Sequence, residues 1–168
     1  NWGSREFKDE LTVSIHWHEY AEFIWLQGGH MTAVVQADTY ELDPGDLLII
    51  NSGELHMTRI SQRPSHCPYV LMQLSAQRMG EYFPGRETLR FTTLIRRAEL
   101  EKTPAILEPL TAMQQLFEAN QDGYQLLFRA RLFEFLHAMY KLHASTAVRL
   151  AENASARDLN RIMDVVAW

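Results

Sequence analysis

Residues 15–29, "IHWHEYAEFIWLQGG", carry three side chains that are able to bind a metal or a polar ligand. His16 and His18 are two residues apart, and Glu22 follows four residues later in an otherwise apolar and aromatic run. Side chains alternate between the faces of a strand, so these three groups share one face if the strand is continuous. Burying them without partners costs roughly 2–7 kcal/mol per group. We therefore expect them to be solvated, hydrogen-bonded in a pocket, or bound to a metal.

The first half of the chain reads as short strands separated by sharp turns. Segments rich in β-branched and aromatic residues, such as "MTAVVQA", "DLLIIN" and "YVLMQLS", are separated by Gly28-Gly29, by residues 43–46 or by Ser52-Gly53. Many short strands at close spacing predict a sandwich or a small barrel. A closed sheet of this kind lines its interior with every second residue.

The pattern becomes helical from about Ala76. A first helix is predicted with Pro109 in its first turn and with apolar residues at helical spacing, namely Leu110, Met113, Leu116 and Phe117. A second helix, "YQLLFRARLFEFLHAMYKLH", follows the breaker "NQDG" and is apolar on more than one stripe. It therefore needs cover on two sides, from the barrel and from either the preceding helix or a second copy of the protein.

Composition and charge exclude several classes of protein. The 168 residues suffice for one domain with a sizeable core. Residues 1–75 hold 10 Asp or Glu against 4 Lys or Arg, and this acidic half argues against direct nucleic-acid binding. No apolar run could cross a bilayer and no secretory signal opens the chain, so we expect no membrane partner and a cytoplasmic location. The lone Cys67 excludes an internal disulfide and is interpreted as a small buried hydrophobe.

Two separated blocks of the sequence form a pair of motifs. Their fixed positions are His16, His18, Glu22 and Gly29 in the first block, and Gly45, Asn51, Gly53 and His56 in the second. The blocks resemble the two signature motifs of the cupin superfamily, with Asn51 where proline is usual and Ile60 where asparagine is usual. The resemblance implies a mainly β fold with some α: a double-stranded β-helix, or jelly-roll-like barrel, followed by a small antiparallel helical subdomain.

The same resemblance places His16, His18, Glu22 and His56 at the positions that hold a divalent metal in enzymatic cupins. Three imidazoles and one carboxylate suit Zn, Ni, Fe or Mn, with positions left for water or a ligand. Three interpretations stay open: a metal-loaded site, a metal-free ligand pocket, and a structural network in which a protonated histidine pairs with Glu22. These four residues are the predicted ligand-binding or metal site, and no catalytic residue is assigned.

The order of the parts resembles the regulatory half of AraC-type transcription regulators. The phrases "HWHEYAEFIWLQGG" and "ELDPGDLLIINSGELH" correspond to the barrel of that family, and "GYQLLFRARLFEFLHAMYKL" to its long helix. The resemblance implies a barrel at 1–75, with an N-terminal arm at 1–10, and a helical dimerisation subdomain at 76–147. Residues 148–168 would be a linker and the first helix of a truncated DNA-binding domain.

This resemblance implies a sensor without catalysis. A small effector, such as a sugar or an aromatic compound, would bind in the barrel, and the helices would form a homodimer. DNA would be bound only by a C-terminal helix-turn-helix domain that is missing from this chain. The alternative is a metal-dependent cupin enzyme, an isomerase or a dioxygenase, in which the four site residues ligate the metal.

The sequence also predicts where other aromatic residues and histidines lie. Tyr20 and Tyr40 are candidates for stacking on an effector, whereas the parity of Trp17 and Trp25 predicts that they face outward or lie under the helices. The remaining histidines are expected to be solvated or packed, namely His30, His66, His137 and His143.

Overall fold

The computed structural model describes residues 2–5, 12–60, 67–85 and 89–146. The strands are β1 (Trp2–Arg5), β2 (Thr12–His16), β3 (Tyr20–Leu26), β4 (Met31–Val35), β5 (Asp38–Leu42), β6 (Leu47–Ile50), β7 (His56–Ile60), β8 (Tyr69–Ser75), β9 (Leu89–Phe91), β10 (Leu94–Ile95) and β11 (Ala144–Thr146). The helices are α1 (Ala76–Tyr82), α2 (Arg97–Leu100), α3 (Pro104–Ala119) and α4 (Tyr124–His143). Within these ranges, no helix has both the length and the apolar character needed to span a membrane.

Most strands belong to two antiparallel sheets. The larger sheet has the order β1-β8-β3-β6-β10, the smaller has the order β2-β7-β4-β5, and β9 pairs with β11 in a separate ladder. The chain crosses between the two sheets repeatedly, from β2 to β3, from β3 to β4 and again from β5 to β6. Such crossing is the pattern of a jelly roll. The predicted mainly β class, with a two-sheet barrel followed by helices, is confirmed.

Apolar side chains fill the space between the two sheets. Ile24 and Leu26 of β3 enter it from the larger sheet, and Met31, Ala33 and Val35 of β4 enter it from the smaller one. All five are buried. Every second residue of β4 serves this core because side chains alternate along a strand.

Helices cover the other face of the larger sheet. Phe23 of β3 meets Phe135 of α4 edge to face, with ring centroids 5.5 Å apart. Ile106 of α3 and Met139 of α4 are fully buried in the same core. This second core holds α3 and α4 against the sheet, and α4 spans the same residues as the second predicted helix.

Helix α3 begins five residues before the predicted start. Pro104 stands in its first turn, after Thr103, and Pro109 lies inside the helix. The prediction that Pro109 opens the helix is therefore wrong. A first-turn proline loses no intrahelical hydrogen bond, so Pro104 suits that position, whereas Pro109 removes one donor from the helix interior. Pro109 is buried, so its ring contributes packing in exchange.

Three strands within residues 76–147 were not predicted. One of them, β10, pairs with β6 and extends the larger sheet, and β9 pairs with β11. The division of the chain at residue 75 stays a prediction. Residues 148–168, the predicted linker and DNA-binding helix, lie outside the described residues, as do residues 6–10 of the predicted arm. Residues 2–5 of that arm form β1, which pairs with β8.

Candidate functional site

Three of the four predicted site residues come together between the two sheets. His16 ends β2 and lies opposite His56 of β7 in the ladder, after a register shift in β2. His18 follows where the chain crosses to the larger sheet. The ligand nitrogens of these three histidines all lie within 4.8 Å of one another. We call this group the histidine triad.

The triad does not arise from one continuous strand. β2 ends at His16, and β3 begins at Tyr20 in the other sheet. Glu22 therefore approaches the histidines from the facing sheet, and the same-strand premise of the sequence argument is wrong. The side chains still converge, because two stacked sheets direct their inner side chains into a common interior.

Glu22 lies beside the triad and is 9% exposed. Its Oε2 atom is 3.2 Å from Nε2 of His18 and accepts a hydrogen bond of 2.8 Å from Nε2 of Gln73. Gln73 is the partner of Glu22 in the β3–β8 ladder. Sequence reasoning missed Gln73, although it interrupts the apolar run "YVLMQL", and such an interruption is the signal that could have found it.

The backbone determines which imidazole nitrogen of each histidine carries the proton. Each Nδ1 atom contacts a carbonyl oxygen, and these are Ser14 at 2.8 Å for His16, Tyr20 at 3.2 Å for His18 and Glu54 at 2.8 Å for His56. A carbonyl oxygen can only accept, so Nδ1 must donate. In the neutral rings, Nε2 is therefore left with a lone pair and no proton. This is the tautomer in which Nε2 binds a metal or accepts a hydrogen bond.

Two of these nitrogens have no hydrogen-bond partner within the described part of the chain. They are Nε2 of His18 and Nε2 of His56, and both are buried. A bare lone pair on His18 at 3.2 Å from a Glu22 oxygen is repulsive unless a positive charge lies between them. Leaving each buried polar atom unsatisfied costs roughly 1–3 kcal/mol. The site therefore suits a proton, a cation or a ligand that donates hydrogen bonds.

Burial favours the neutral form of one member of the triad, His56. Burial lowers the pKa of His56, and the nearby His16 and His18 lower it further, although the Glu54 carbonyl and the Glu22 carboxylate act in the opposite direction. The neutral imidazole is the form that ligates metals. His56 is thus suited to act as a ligand at neutral pH.

A cavity of about 140 Å³ opens next to the triad. Its polar lining comes from His16, Glu22 and His56 together with Thr58, Tyr69 and Gln73, and its apolar lining includes Ile24 and Leu71. A concave apolar site with a few convergent polar groups is typical of small-molecule binding. We call this space the histidine cavity.

The aromatic candidates take different places. The ring of Tyr20 lies 5.4 Å from the ring of His18, whereas Tyr40 packs against the core between the sheets. Trp17 is 62% exposed, and Trp25 packs against the core under the helices, as their parity predicts. Tyr20 is therefore the aromatic side chain of this set that adjoins the triad.

The other histidines take solvated or packed positions in the described part of the chain. His30 pairs with Asp43 at 2.8 Å on the surface, and His137 is exposed on α4. His143 is nearly buried and lies 3.8 Å from Glu99. His66 lies outside the described residues.

Asn51, where the second motif departs from its usual pattern, joins the barrel to β9. Its Nδ2 atom donates to the carbonyl of Phe91 at 3.1 Å, and the Phe91 amide donates to Oδ1 at 2.7 Å. The backbone N–H of Asn51 donates to the Glu54 carboxylate at 2.7 Å, and its Nδ2 atom donates to the same group at 3.3 Å. Burial raises the pKa of the Glu54 carboxyl despite these hydrogen bonds. Because the Glu54 carbonyl accepts from His56, the loop 51–54 connects the triad to β9.

A family model matches most of the chain. Residues 5–136 match the model described as the AraC-like ligand binding domain. The uncharacterized HTH-type transcriptional regulator YdeC of Bacillus subtilis (strain 168) is 32% identical over 63 residues, which make up 38% of this chain and 21% of that protein. The match therefore spans about a fifth of the length of that regulator.

Solved structures resemble parts of the fold. The salicylate 1,2-dioxygenase of Pseudaminobacter salicylatoxidans has a TM-score of 0.46 and 17% identity, over 68% of this chain and 42% of that one. The cupin domain of Cnp3 from Schizosaccharomyces pombe has a TM-score of 0.42 and 11% identity, over 48% and 58%. A mutant of the Bacillus subtilis oxalate decarboxylase OxdC has a TM-score of 0.39 and 20% identity, over 45% and 21%.

The family match covers the smaller sheet, the larger sheet apart from most of β1, the triad and most of α4. The chain belongs to the family of AraC-like ligand binding domains.

Proposed function

We propose that this chain is the effector-sensing and dimerising part of an AraC-type transcription regulator, and that it binds a small molecule without transforming it. The observation that supports this most strongly is the histidine triad, two members of which, His16 and His56, line a cavity in a chain of this family. DNA would be bound by a helix-turn-helix domain beyond residue 168. Effector binding would shift the regulator between states by its difference in affinity for them.

The effector must supply hydrogen-bond donors or positive charge. The Nε2 atoms of the triad and the carboxylate of Glu22 are all acceptors, so they attract hydroxyl groups rather than carbonyl oxygens. Tyr20 offers one aromatic face beside the triad. Of the two effector classes, sugars and aromatic compounds, this chemistry favours a sugar or another polyhydroxylated compound over a purely aromatic one.

The donor set also fits a divalent metal. His16, His18 and His56 would hold Zn, Ni, Fe or Mn, with Glu22 beside them. The ion would satisfy the buried nitrogens and supply a positive centre for hydroxyl oxygens of an effector. The two kinds of occupant are therefore compatible.

Titration calorimetry tests this site on chain stripped of metal with a chelator. We expect about one zinc ion to bind per chain and to raise the melting temperature by mass action, and His56→Ala to abolish both effects. His137→Ala, which removes an exposed histidine of α4, is the matched control and should bind zinc normally. A chain that binds neither zinc nor any of a panel of pentoses and hexoses would refute the proposed site.

The regulatory role is tested on the full-length protein. The gene beyond Trp168 should encode two helix-turn-helix motifs, and the full-length protein should bind promoter DNA in a way that zinc or a bound sugar alters. A stop codon after this segment, or DNA binding that is indifferent to any ligand of the triad, would contradict the role of sensor.

We further propose that the homodimer forms through the pair α3 and α4. Leu126 and Leu127 of α4 are 73% and 58% exposed, and Leu127 lines a shallow groove with Ala112 and Leu116 of α3. An exposed apolar patch of this kind marks an interaction surface. In sedimentation equilibrium we expect a dimer that Leu127→Glu dissociates and that Gln125→Glu, on the same helix, leaves intact. A monomer at concentrations well above micromolar would contradict this part of the proposal.

A metal-dependent isomerase or dioxygenase is the second candidate, favoured by the triad and the adjacent carboxylate alone. It predicts turnover of a bound sugar or consumption of oxygen by the metal-loaded chain, lost in His56→Ala. Binding of the same ligand without turnover would favour the sensor.

A further inference from the structure

A second cavity lies on the other face of the larger sheet, between α1 and β9. Its volume is about 290 Å³, roughly twice the 140 Å³ of the histidine cavity. Ala21 of β3 lines it, whereas the next residue, Glu22, lines the histidine cavity. Neighbouring residues of a strand point to opposite faces, so the sheet separates the two cavities. We call this space the α1–β9 cavity.

The walls of the α1–β9 cavity are mostly apolar. Met79 of α1 and Phe83 contribute from one side, and Leu89 and Phe91 of β9 contribute from the other. Arg90 carries the one formal charge among the lining residues of the described chain. An apolar cavity of this size with a few convergent polar groups is suited to a small organic molecule.

The Arg90 side chain has unused hydrogen-bond donors, whereas the donors of the Asn51 and Ser52 side chains are all engaged. The Asn51 amide is occupied by Phe91 and Glu54, and the Ser52 hydroxyl donates to the Glu19 carbonyl at 3.1 Å. Among the described residues, the Arg90 side chain donates one hydrogen bond, from Nη1 to the Leu89 carbonyl at 3.5 Å. A guanidinium offers five N–H donors, so most of them remain available for a ligand. Burial raises the pKa of the nearby Glu54 carboxyl, and the positive charge of Arg90 acts to lower it.

We propose that the α1–β9 cavity is a second small-molecule site, which takes a compact monocarboxylate with an apolar body. The planar guanidinium of Arg90 binds a carboxylate in a bidentate fork, and the apolar walls enclose the body of the molecule. The triad selects the opposite chemistry, since its atoms accept hydrogen bonds and attract cations. The two sites therefore bind different classes of ligand, and this proposal does not depend on the proposed sensor function.

The α1–β9 cavity is lined by residues that hold two parts of the fold together. Asn51 and Phe91 both line it, and their hydrogen bonds join the loop 51–54 to β9. Phe91 also pairs with Ala144 of β11. A ligand here would thus contact the junction between the barrel and the segment that follows α4.

Binding is measured with sodium benzoate, phenylacetate and hexanoate as probes, by titration calorimetry and saturation-transfer NMR on the 168-residue chain. Benzamide and hexanamide are the neutral controls. We expect at least one acid to bind and its amide to bind at least about tenfold more weakly. Arg90→Gln should lower the affinity for the acid by a similar factor. Arg59→Gln removes an exposed arginine of β7 that is distant from the cavity lining, and it should leave binding unchanged.

A second variant reduces the volume of the α1–β9 cavity and leaves Arg90 unchanged. Gly80 of α1 lines the cavity, and a Cβ atom added there meets no other atom within 4 Å. Gly80→Leu should abolish binding while improving helix propensity, and Gln77→Leu on the exposed face of α1 should not.

Three outcomes would overturn the proposal. They are the failure of all three acids to bind, equal binding of acids and amides, and binding that neither Arg90→Gln nor Gly80→Leu reduces. His56→Ala should retain acid binding and Arg90→Gln should retain zinc binding, so failure of one site is distinguishable from failure of the other.

Discussion

The two faces of the larger sheet have different surroundings, and strand β3 contributes side chains to both. On one face of β3, Ala21 and Phe23 meet the helices in a core without charged members among the described residues. On the other face, Ile24 and Leu26 meet the smaller sheet, and Glu22 meets the histidine triad at one end of that interior. Alternation along one strand thus separates a packing surface from a site by a single residue.

This difference shows how the fold can hold unsatisfied polar atoms. The helical face buries large apolar side chains, whose burial contributes about 1.5–3 kcal/mol each. The triad leaves Nε2 of His56 without a partner in the described chain, and Nε2 of His18 without one unless a proton lies between it and Glu22, at roughly 1–3 kcal/mol each. The apolar contacts of the helical face can therefore offset the cost of these two nitrogens.

The largest expected effect comes from weakening the helical face. Phe135→Ala removes a fully buried ring that contacts Phe23, and we expect it to lower the free energy of unfolding by about 3–5 kcal/mol. Phe133→Ala, on the same helix but 50% exposed, should cost about 1 kcal/mol or less. Urea denaturation followed by circular dichroism measures both. Equal losses would show that the helical face does not carry the stability assigned to it.

The second largest effect is expected at Asn51, whose hydrogen bonds join the loop 51–54 to β9. Asn51→Ala leaves the amide and the carbonyl of Phe91 without their side-chain partner, so we expect a loss of about 2–3 kcal/mol in the free energy of unfolding. Amide hydrogen exchange should accelerate in β9 and β11. Ser52→Ala, which removes one exposed hydrogen bond, should cost about 1 kcal/mol. Unchanged exchange in β9 would contradict the role given to Asn51.

Glu22→Gln should have a smaller effect, confined to the site. Because Glu22 lies beside the triad rather than within it, we expect zinc affinity to fall by about tenfold to a hundredfold, instead of vanishing as in His56→Ala. Calorimetric titration of the two variants with zinc measures this contrast. Complete loss of zinc binding in Glu22→Gln would make Glu22 a direct ligand.

The residue types of the site could be predicted, but the way the chain assembles them could not. His16, His18 and His56 do meet, as the two motifs suggest. Their meeting depends on a crossing between sheets at residues 17–19, which no local pattern in the sequence specifies. Gln73 and Asn51 act through cross-strand and long-range hydrogen bonds, so their partners are fixed only by the tertiary fold.

Helix prediction succeeded where local signals were strong. Helix α4 follows a turn signal, and its bounds match the predicted helix. The segment of α3 contains two prolines that could each stand in a first turn, and the local sequence does not decide between Pro104 and Pro109. Strands β9, β10 and β11 are three residues long or shorter, so they show too few alternations to be found by periodicity.

The central claim is that His16, His18 and His56 each donate Nδ1–H to a backbone carbonyl, so that Nε2 of each ring faces a common ligand. Long-range ¹H–¹⁵N NMR of the histidine rings, with and without zinc, measures this directly. We predict a proton on Nδ1 of all three rings, and a shift of all three Nε2 resonances when zinc binds. Nε2–H tautomers in these rings, or Nε2 resonances that zinc leaves unchanged, would contradict the account.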